Sequence, residues 1–224
     1  MPASADSPIK TQVKTIDGLS VRYAESEPRE VSAILLSPWP ESLYTFEQMW
    51  SRLAEHAHLV AIDLPGFGQS QRRGELLKSS TMGEFVAHAV EAPDLEALRQ
   101  IDPHQGVDSV LAFVENYKLP EHVHQDFLQS YEGDRFAESV RFVRSYKDEL
   151  PVLRELLPHI ETPVQIITGD HDPGVLPVNG EYLHELLAHN KHDYLNAGHF
   201  AWADAADDYS RLLIEWWNGG YERV

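Results

Sequence analysis

The sequence predicts an α/β fold with a mostly parallel sheet of about six strands and a helical lid. Apolar runs that suit buried parallel strands occur near both ends of the chain, each followed by a segment with helical spacing. The middle of the chain has helical spacing alone. We therefore assign residues 1–90 and 160–224 to an α/β core and residues 91–159 to the lid.

The N-terminal elements begin with a hairpin. Residues 13–23 read as two short strands around an Asp-Gly dipeptide, which is favoured in tight turns. The run VSAILLS at 31–37 suits a central strand buried on both faces, and residues 45–55 place apolar side chains at helical spacing. A second apolar run follows at 58–64. Strand, helix and strand in this order predict a crossover unit of a parallel sheet.

The C-terminal elements repeat this pattern. Residues 163–173 and 192–200 each read as a strand followed by a loop, while 181–189 and 209–217 read as helices. Between the two ends, residues 82–158 show helical intervals. Four prolines are expected to break these helices: Pro93, Pro103, Pro120 and Pro151.

Composition and charge argue against several classes of partner and exclude chemistry that depends on cysteine. The 224 residues are 42% hydrophobic and carry a formal net charge of -18, which argues against nucleic-acid and anionic-membrane partners. The absence of cysteine excludes disulfides, thiolate nucleophiles and cysteine metal sites. We expect a small-molecule substrate or ligand, no cofactor and no metal. Because neither a signal-like N-terminus nor an apolar stretch of roughly 20 residues occurs, we expect a cytoplasmic protein.

Chemistry-bearing residues follow four predicted strands. Because the carboxyl ends of parallel strands meet at one edge of a sheet, ligands bind there. The four segments are SPWP at 37–40, DLPGFGQS at 63–70, GDHDP at 169–173 and NAGHF at 196–200.

These motifs resemble the α/β-hydrolase superfamily, and within it the branch of epoxide hydrolases and haloalkane dehalogenases. That branch carries H-G-x-P after its third strand, D-x-P-G-x-G-x-S after the fourth, G-x-x-D-P after a late strand and G-H-F after the last strand. The resemblance implies that the backbone N–H of Trp39 helps form an oxyanion hole and that Pro40 is the motif proline. It also implies that Asp172 is the acid and His199 the general base. Tyr146 resembles the lid tyrosines that donate hydrogen bonds to an epoxide oxygen.

One part of the family pattern is absent from the sequence. The family nucleophile lies on a Gly-flanked strand-turn-helix elbow between the D-x-P-G-x-G-x-S turn and the lid. Between Gly83 and Gly169 the only glycines are Gly106 and Gly133, and neither follows an apolar run that suits a strand. The resemblance therefore implies that the elbow, its helix and the next strand are missing.

Other polar residues have competing interpretations. Ser37 replaces the family histidine beside the oxyanion loop and is a candidate nucleophile, but no base is evident beside it. Asp63 and the glycines after it are expected to fix a turn. Two histidine pairs have metal-like spacing without a recognisable third ligand, so solvated histidines are favoured: His56 with His58, and His122 with His124.

The leading hypothesis is a small-molecule enzyme of epoxide-hydrolase ancestry. His199, oriented by Asp172, would act as a general base on water or substrate, giving hydrolysis, cyclisation or elimination. One alternative is a non-catalytic protein that binds a ligand or stabilises a partner. Another is a deletion form of a complete hydrolase, with its junction near Val90-Glu91.

A homodimer is also expected. Loss of two central strands would leave unpaired edges on the strands at 31–37 and 163–168. These edges pair either with each other or with a second chain.

Overall fold

A computed structural model describes residues 7–16, 18–72 and 102–224. The predicted helix near Thr81 and the junction near residue 90 lie outside these ranges. The described residues divide into two compact units. The N-terminal unit comprises 7–16, 18–72, 102–112 and 118–141, and the C-terminal unit comprises 113–117 and 142–224.

The N-terminal unit contains a mixed four-stranded sheet in the order β1-β2-β4-β3. The hairpin is confirmed, because β1 and β2 pair antiparallel up to Ile16 and Leu19. The crossover unit is confirmed as well, since β3 and β4 pair in parallel with helix α1 between them in sequence. The elements are β1 Thr11–Ile16, β2 Leu19–Glu25, β3 Ser32–Leu36, α1 Glu47–Ala54 and β4 His58–Ile62, with a short 3-10 helix at Leu43–Phe46.

Helix α1 shows why the sequence forms these layers. Met49, Trp50 and Leu53 lie at helical spacing and are buried, while the intervening side chains face outward. The helix contacts β4. Full burial of each such side chain contributes about 1.5–3 kcal/mol, so this apolar face fixes the helix on the sheet.

The prediction that β3 is buried on both faces is wrong. Within the described residues β3 pairs with β4 alone, and Ile34 is 69% exposed. Leu36, on the same face of the strand, is half exposed, whereas Leu35 is buried. An apolar run does not reveal whether a covering layer is present.

Three helices occupy the described part of the predicted lid. They are α2 Pro103–Leu111, α3 Glu121–Ser130 and α4 Arg135–Leu156. As predicted, residues 102–156 contain no strand. Residues 135–141 of α4 belong to the N-terminal unit and 142–156 to the C-terminal unit. The lid boundaries at 91 and 159 stay a prediction.

Of the four prolines expected to break helices, Pro93 lies outside the described residues, and two of the others stand at helix starts. Pro103 begins α2 and Pro120 is the N-cap residue of α3, positions where a missing backbone N–H costs little. The expectation that Pro151 breaks its helix is wrong, because α4 continues through it. Leu153 and Leu157, after the proline, pack in the C-terminal core, and their burial offsets the lost hydrogen bond.

The C-terminal unit contains a two-stranded parallel sheet. Helix α5 follows β5 and contacts both strands, completing a second crossover unit. Leu157, Ile166 and Leu187 form one apolar cluster, and Leu195 and Leu212 belong to another. The elements are β5 Val164–Gly169, α5 Val178–Leu186, β6 Asn190–Leu195, α6 Ala201–Asp204 and α7 Ala206–Trp217, with 3-10 helices at Leu157–His159 and Gly220–Arg223.

The described residues contain six strands, which matches the predicted number. They are distributed between a sheet of four strands and a sheet of two. No helix within the described ranges has the length and apolarity needed to cross a membrane.

Candidate active site

The carboxyl ends of β5 and β6 bring Asp172 and His199 together. Gly169 and Leu195 are paired in register, so the loops after these two residues leave the sheet side by side. A side chain at Gly169 would collide with the carbonyl oxygen of Gly198, which explains the glycine. His199 Nδ1 lies 3.0 Å from Asp172 Oδ2 and 3.1 Å from Oδ1.

The Asp172 carboxylate is fixed by its own loop. Its Oδ1 accepts hydrogen bonds from the backbone N–H groups of Gly174 at 2.7 Å and Val175 at 2.9 Å. Burial would raise the pKa of Asp172, which is 8% exposed. The hydrogen bonds from His199 and these N–H groups outweigh burial, so the pKa lies below its ordinary value. Asp172 is therefore an ionised orienting group at neutral pH.

The His199 ring lies between aromatic side chains. Phe200 meets it edge-on at a centroid distance of 5.1 Å, and Phe113 at 5.9 Å. No group in the described part of the chain bonds its Nε2, and the side chain is 28% exposed. With Nδ1 donating to Asp172, Nε2 is left with a lone pair that can accept a proton. This geometry suits a general base.

The oxyanion-loop candidates lie in the N-terminal unit. Trp39 Nε1 donates to Ser139 Oγ at 2.7 Å, and the indole packs on Phe136. Pro40 is buried and follows a cis peptide bond. Ser37 is 5% exposed, and its Oγ has no hydrogen-bond partner among the described residues. Among the described residues no imidazole contacts that hydroxyl, so its use as a nucleophile gains no support.

Tyr146 lies in the C-terminal unit and is buried against Phe142 at a ring distance of 5.2 Å. Burial raises the pKa of its hydroxyl to about 12, so the group is a neutral donor at physiological pH. Within the described residues, no hydrogen bond joins it to Asp172 or His199.

A buried ionic cluster occupies the N-terminal unit. Arg22 donates from Nε to Asp63 at 2.5 Å and from both terminal nitrogens to Asp126 at 2.6 and 2.8 Å. Asp63 also accepts from the backbone N–H groups of Leu43 and Gln69. Its carboxylate thus joins the turn after β4 to the segment before α1.

The sequence predicted a turn at Asp63 but not the cluster that this residue forms with Arg22 and Asp126. Alternation in β2 puts Arg22 on the face of exposed Ser20, so periodicity indicates a solvated side chain. Asp126 comes from α3, 104 residues away. The turn interpretation also has structural support, because Gly68 has a φ of +48° and a side chain there would collide with Asp63.

Three of the four histidines in the two pairs contact carboxylates. His58 lies 3.0 Å from Glu25, and His124 lies 2.7 Å from Asp108. His122 likewise contacts Glu47. Among the residues that the structure describes, no group of three or more side chains is arranged to hold a metal ion.

Comparison with known proteins gives the fold a name. No family model matches the chain. An uncharacterized hydrolase of Saccharomyces cerevisiae is 26% identical over 168 residues, 72% of this chain and 58% of that protein. The chain therefore spans about three fifths of the length of this curated relative.

Solved structures extend the comparison. A haloalkane dehalogenase from Bradyrhizobium elkani has a TM-score of 0.73 at 16% identity, over 96% of this chain and 99% of that one. An esterase from Exiguobacterium antarcticum has a TM-score of 0.72 at 17% identity, over 92% and 98%. An enol-lactonase from Burkholderia xenovorans has a TM-score of 0.71 at 17% identity, over 91% and 98%. The chain has an α/β-hydrolase fold.

The hydrolase fold confirms the fold class predicted from the sequence. It does not by itself assign a reaction, because one fold supports many chemistries. The assignment of function has to come from the Asp172–His199 pair and its surroundings.

Those surroundings include residues that the sequence did not single out. Phe113 contacts His199, and Glu115 contacts His171, beside Asp172. Asp204 accepts a hydrogen bond from the backbone N–H of Glu115. Residues 113–117, which contain Phe113 and Glu115, follow helix α2 and carry no strand pattern or motif, so no local sequence signal identifies them.

Proposed function

We propose that the chain is a small-molecule enzyme of epoxide-hydrolase ancestry that works without a covalent nucleophile. His199, oriented by Asp172, acts as a general base on water or on the substrate. The observation that carries this proposal is the bond from Asp172 to Nδ1 of His199, which leaves Nε2 uncommitted within the described residues.

Hydrolysis of an ester or an epoxide by this pair requires only water and the substrate. His199 Nε2 removes a proton from water as the water oxygen bonds to an ester carbonyl carbon or an epoxide carbon. The carbon–oxygen bond to the leaving oxygen breaks, and the imidazolium returns the proton to that oxygen. Asp172 stabilises the imidazolium throughout. In an elimination or cyclisation the same nitrogen would take a proton from the substrate.

The proposed absence of a nucleophile elbow is supported by the two central glycines. Gly106 lies inside helix α2, and Gly133 lies in the turn between α3 and α4 with a φ of +63°. Neither follows a strand, as an elbow residue must. Without the elbow, the family's second oxyanion N–H is also missing.

The oxyanion role of Trp39 and Pro40 and the substrate contact of Tyr146 depend on the sequence resemblance and stay predictions. Apolar or moderately polar esters and epoxides are the substrates to test first. p-Nitrophenyl butyrate and styrene oxide represent the two classes.

The decisive variant is His199→Ala. Turnover of either substrate should fall to the background rate, because no other group replaces Nε2. His56→Ala is the matched control, since His56 is exposed and lies in the other unit. Full turnover in His199→Ala would contradict the proposal. A folded wild-type protein with no turnover would favour the ligand-binding alternative.

Turnover in ¹⁸O-water tests the absence of a covalent step. Direct attack places ¹⁸O in the product and leaves the enzyme mass unchanged, whereas an ester on an enzyme carboxylate would leave ¹⁸O in the protein. Intact-mass and peptide mass spectrometry distinguish these outcomes. An adduct on Ser37, or ¹⁸O in any carboxylate, would overturn the proposed mechanism.

We also propose that the chain forms a homodimer. Within the described residues β3 pairs with β4 alone and β5 with β6 alone, which supports the expected open edges. Light scattering at micromolar concentration should give about twice the 25.4 kDa chain mass. A concentration-independent monomer would refute dimerisation. Ile34→Lys, which charges the exposed face of β3, should shift the equilibrium toward monomer.

A further inference from the structure

A five-residue segment, Phe113–Tyr117, belongs to the C-terminal unit although the residues on both sides of it belong to the N-terminal unit. It connects two lid helices and has no regular structure of its own. Within the C-terminal unit it contacts the loops that carry Asp172 and His199. Its position calls for a physical explanation.

The backbone of the segment is held by Asp204. One carboxylate oxygen of Asp204 accepts hydrogen bonds from the N–H groups of Glu115 at 2.9 Å and Asn116 at 2.7 Å. The second oxygen is buried and has no hydrogen-bond partner among the described residues. A buried carboxylate oxygen without a partner is costly, and the two hydrogen bonds to the other oxygen offset part of that cost.

The side chain of Glu115 forms a second anchor. It lies 2.9 Å from His171 Nε2, and Nδ1 of the same ring lies 2.6 Å from Asp170. Glu115 also packs closely against Gly198, because a Cβ atom at that position would lie only 2.7 Å from Glu115 Oε1. Since His171 precedes Asp172 and Gly198 precedes His199, the segment is attached to both loops of the pair.

The group that these anchors present is the phenyl ring of Phe113. Its centroid lies 5.9 Å from that of His199, at an interplanar angle of 61°. Phe200, the other aromatic contact of the imidazole, is buried, but Phe113 is 43% exposed. The Phe113 ring is therefore not a core residue, and a large part of its apolar surface is open to a bound molecule.

We propose that Phe113 is a specificity-determining residue. It forms an apolar wall beside the imidazole of His199, and Asp204 and Glu115 are positioning residues that hold it there. This inference rests on the proposed function and names its substrate class: neutral molecules that carry an aryl or alkyl group next to the reacting carbon. Carboxylates at 115, 170 and 204 surround the segment, so an anionic group would be repelled.

The first test uses substrate preference. The wild type should hydrolyse p-nitrophenyl phenylacetate with a kcat/KM about tenfold above that for p-nitrophenyl acetate, as expected for burying a few carbon atoms. Phe113→Ala should remove this preference by raising KM, with kcat changed less than twofold. Tyr182→Ala is the matched control, because Tyr182 is an aromatic residue of the same unit with 40% exposure. An unchanged preference in Phe113→Ala would overturn the inference while leaving the role of His199 intact.

The second test does not require turnover. Phenylacetamide, a neutral aryl ligand, is titrated while the His199 ring resonances are followed by NMR. These resonances should shift in the wild type and in Tyr182→Ala, but not in Phe113→Ala. Asp204→Ala should weaken the shift, because the segment loses its backbone anchor. If shifts occur without turnover, the proposed reaction fails and Phe113 still binds the ligand. No shift in the wild type would overturn the inference.

Discussion

The two units each place an aspartate after a parallel strand, and the two carboxylates differ in what surrounds them. Asp63, directly after β4, is fully buried and bonds Arg22 and two backbone N–H groups. Asp172, after β5, bonds His199, whose ring is partly exposed and keeps one nitrogen uncommitted within the described residues. A closed cluster stabilises structure, whereas a pair with a free lone pair can move a proton.

Charge sharpens this contrast. In the N-terminal cluster one guanidinium serves two carboxylates, and hydrogen bonds to Asp126 and Asp63 outweigh burial to raise the pKa of Arg22. Burial raises the pKa of Asp63, an effect that Arg22 opposes. In the C-terminal unit the Asp172 pKa is instead lowered by its hydrogen bonds, against the effect of burial. The pKa values of these two buried carboxylates therefore shift in opposite directions, because burial dominates at Asp63 and hydrogen bonding dominates at Asp172.

Removal of Arg22 should produce the largest effect. Arg22→Met leaves two buried carboxylates without their cation and should lower the free energy of unfolding by about 3–5 kcal/mol. Urea denaturation followed by circular dichroism measures this change. Arg211→Met is the control, because Arg211 pairs with Asp208 and Glu215 on the exposed face of α7. An Arg22→Met midpoint equal to that of the wild type would show that the cluster is dispensable.

Asp172→Asn should act on activity more than on stability. The amide cannot stabilise an imidazolium or hold Nδ1 in the required tautomer, so kcat should fall by about 10²–10⁴-fold. The free energy of unfolding should fall by no more than about 1–2 kcal/mol, since the amide oxygen still accepts hydrogen bonds from the backbone N–H groups. Paired rate and denaturation measurements test both parts. Loss of folding with unchanged specific activity would reverse the comparison between the two units.

Trp39→Phe should have a smaller effect on the N-terminal unit. It removes the hydrogen bond to buried Ser139 but retains the ring contact with Phe136, and should cost about 1 kcal/mol. Trp216→Phe, in the C-terminal unit, is the control. A loss of more than about 3 kcal/mol would indicate that the indole supports more than this bond.

The smallest predicted effect is a pH dependence at His171. Hydrogen bonds to Glu115 and then Asp170 raise its pKa above the ordinary value. The stability it contributes is therefore fully present below the unfolded pKa of about 6.5 and is lost as pH rises through the folded value. The difference in urea midpoint between wild type and His171→Gln should shrink from pH 6 to pH 9.

The contribution of Asp172 to stability should depend on pH in the opposite direction to that of His171. Because its folded pKa is lowered, its contribution is present above the unfolded pKa of about 3.9 and is lost as pH falls through the folded value. For His171, a difference in urea midpoint between wild type and His171→Gln that grows with pH would contradict a raised pKa of this histidine.

The amino-acid sequence by itself determined the local elements. Hydrophobic periodicity located the hairpin, both crossover units and the helices on each side of them, because side-chain spacing follows directly from helix and strand geometry. The loop motifs after β5 and β6, through their resemblance to a family pattern, singled out Asp172 and His199, and the structure brings these two side chains into contact.

Only the tertiary structure decided which distant residues meet. Arg22 and Asp126 are 104 residues apart and look like ordinary surface charges in their own elements. Phe113 lies in a short connection without periodicity and contacts His199, and Asp204, which accepts a hydrogen bond from the backbone of this connection, lies 89 residues beyond Glu115. The exposure of β3 likewise depends on what covers it. Periodicity records only neighbours within a few residues, whereas these contacts arise from the packing of whole elements.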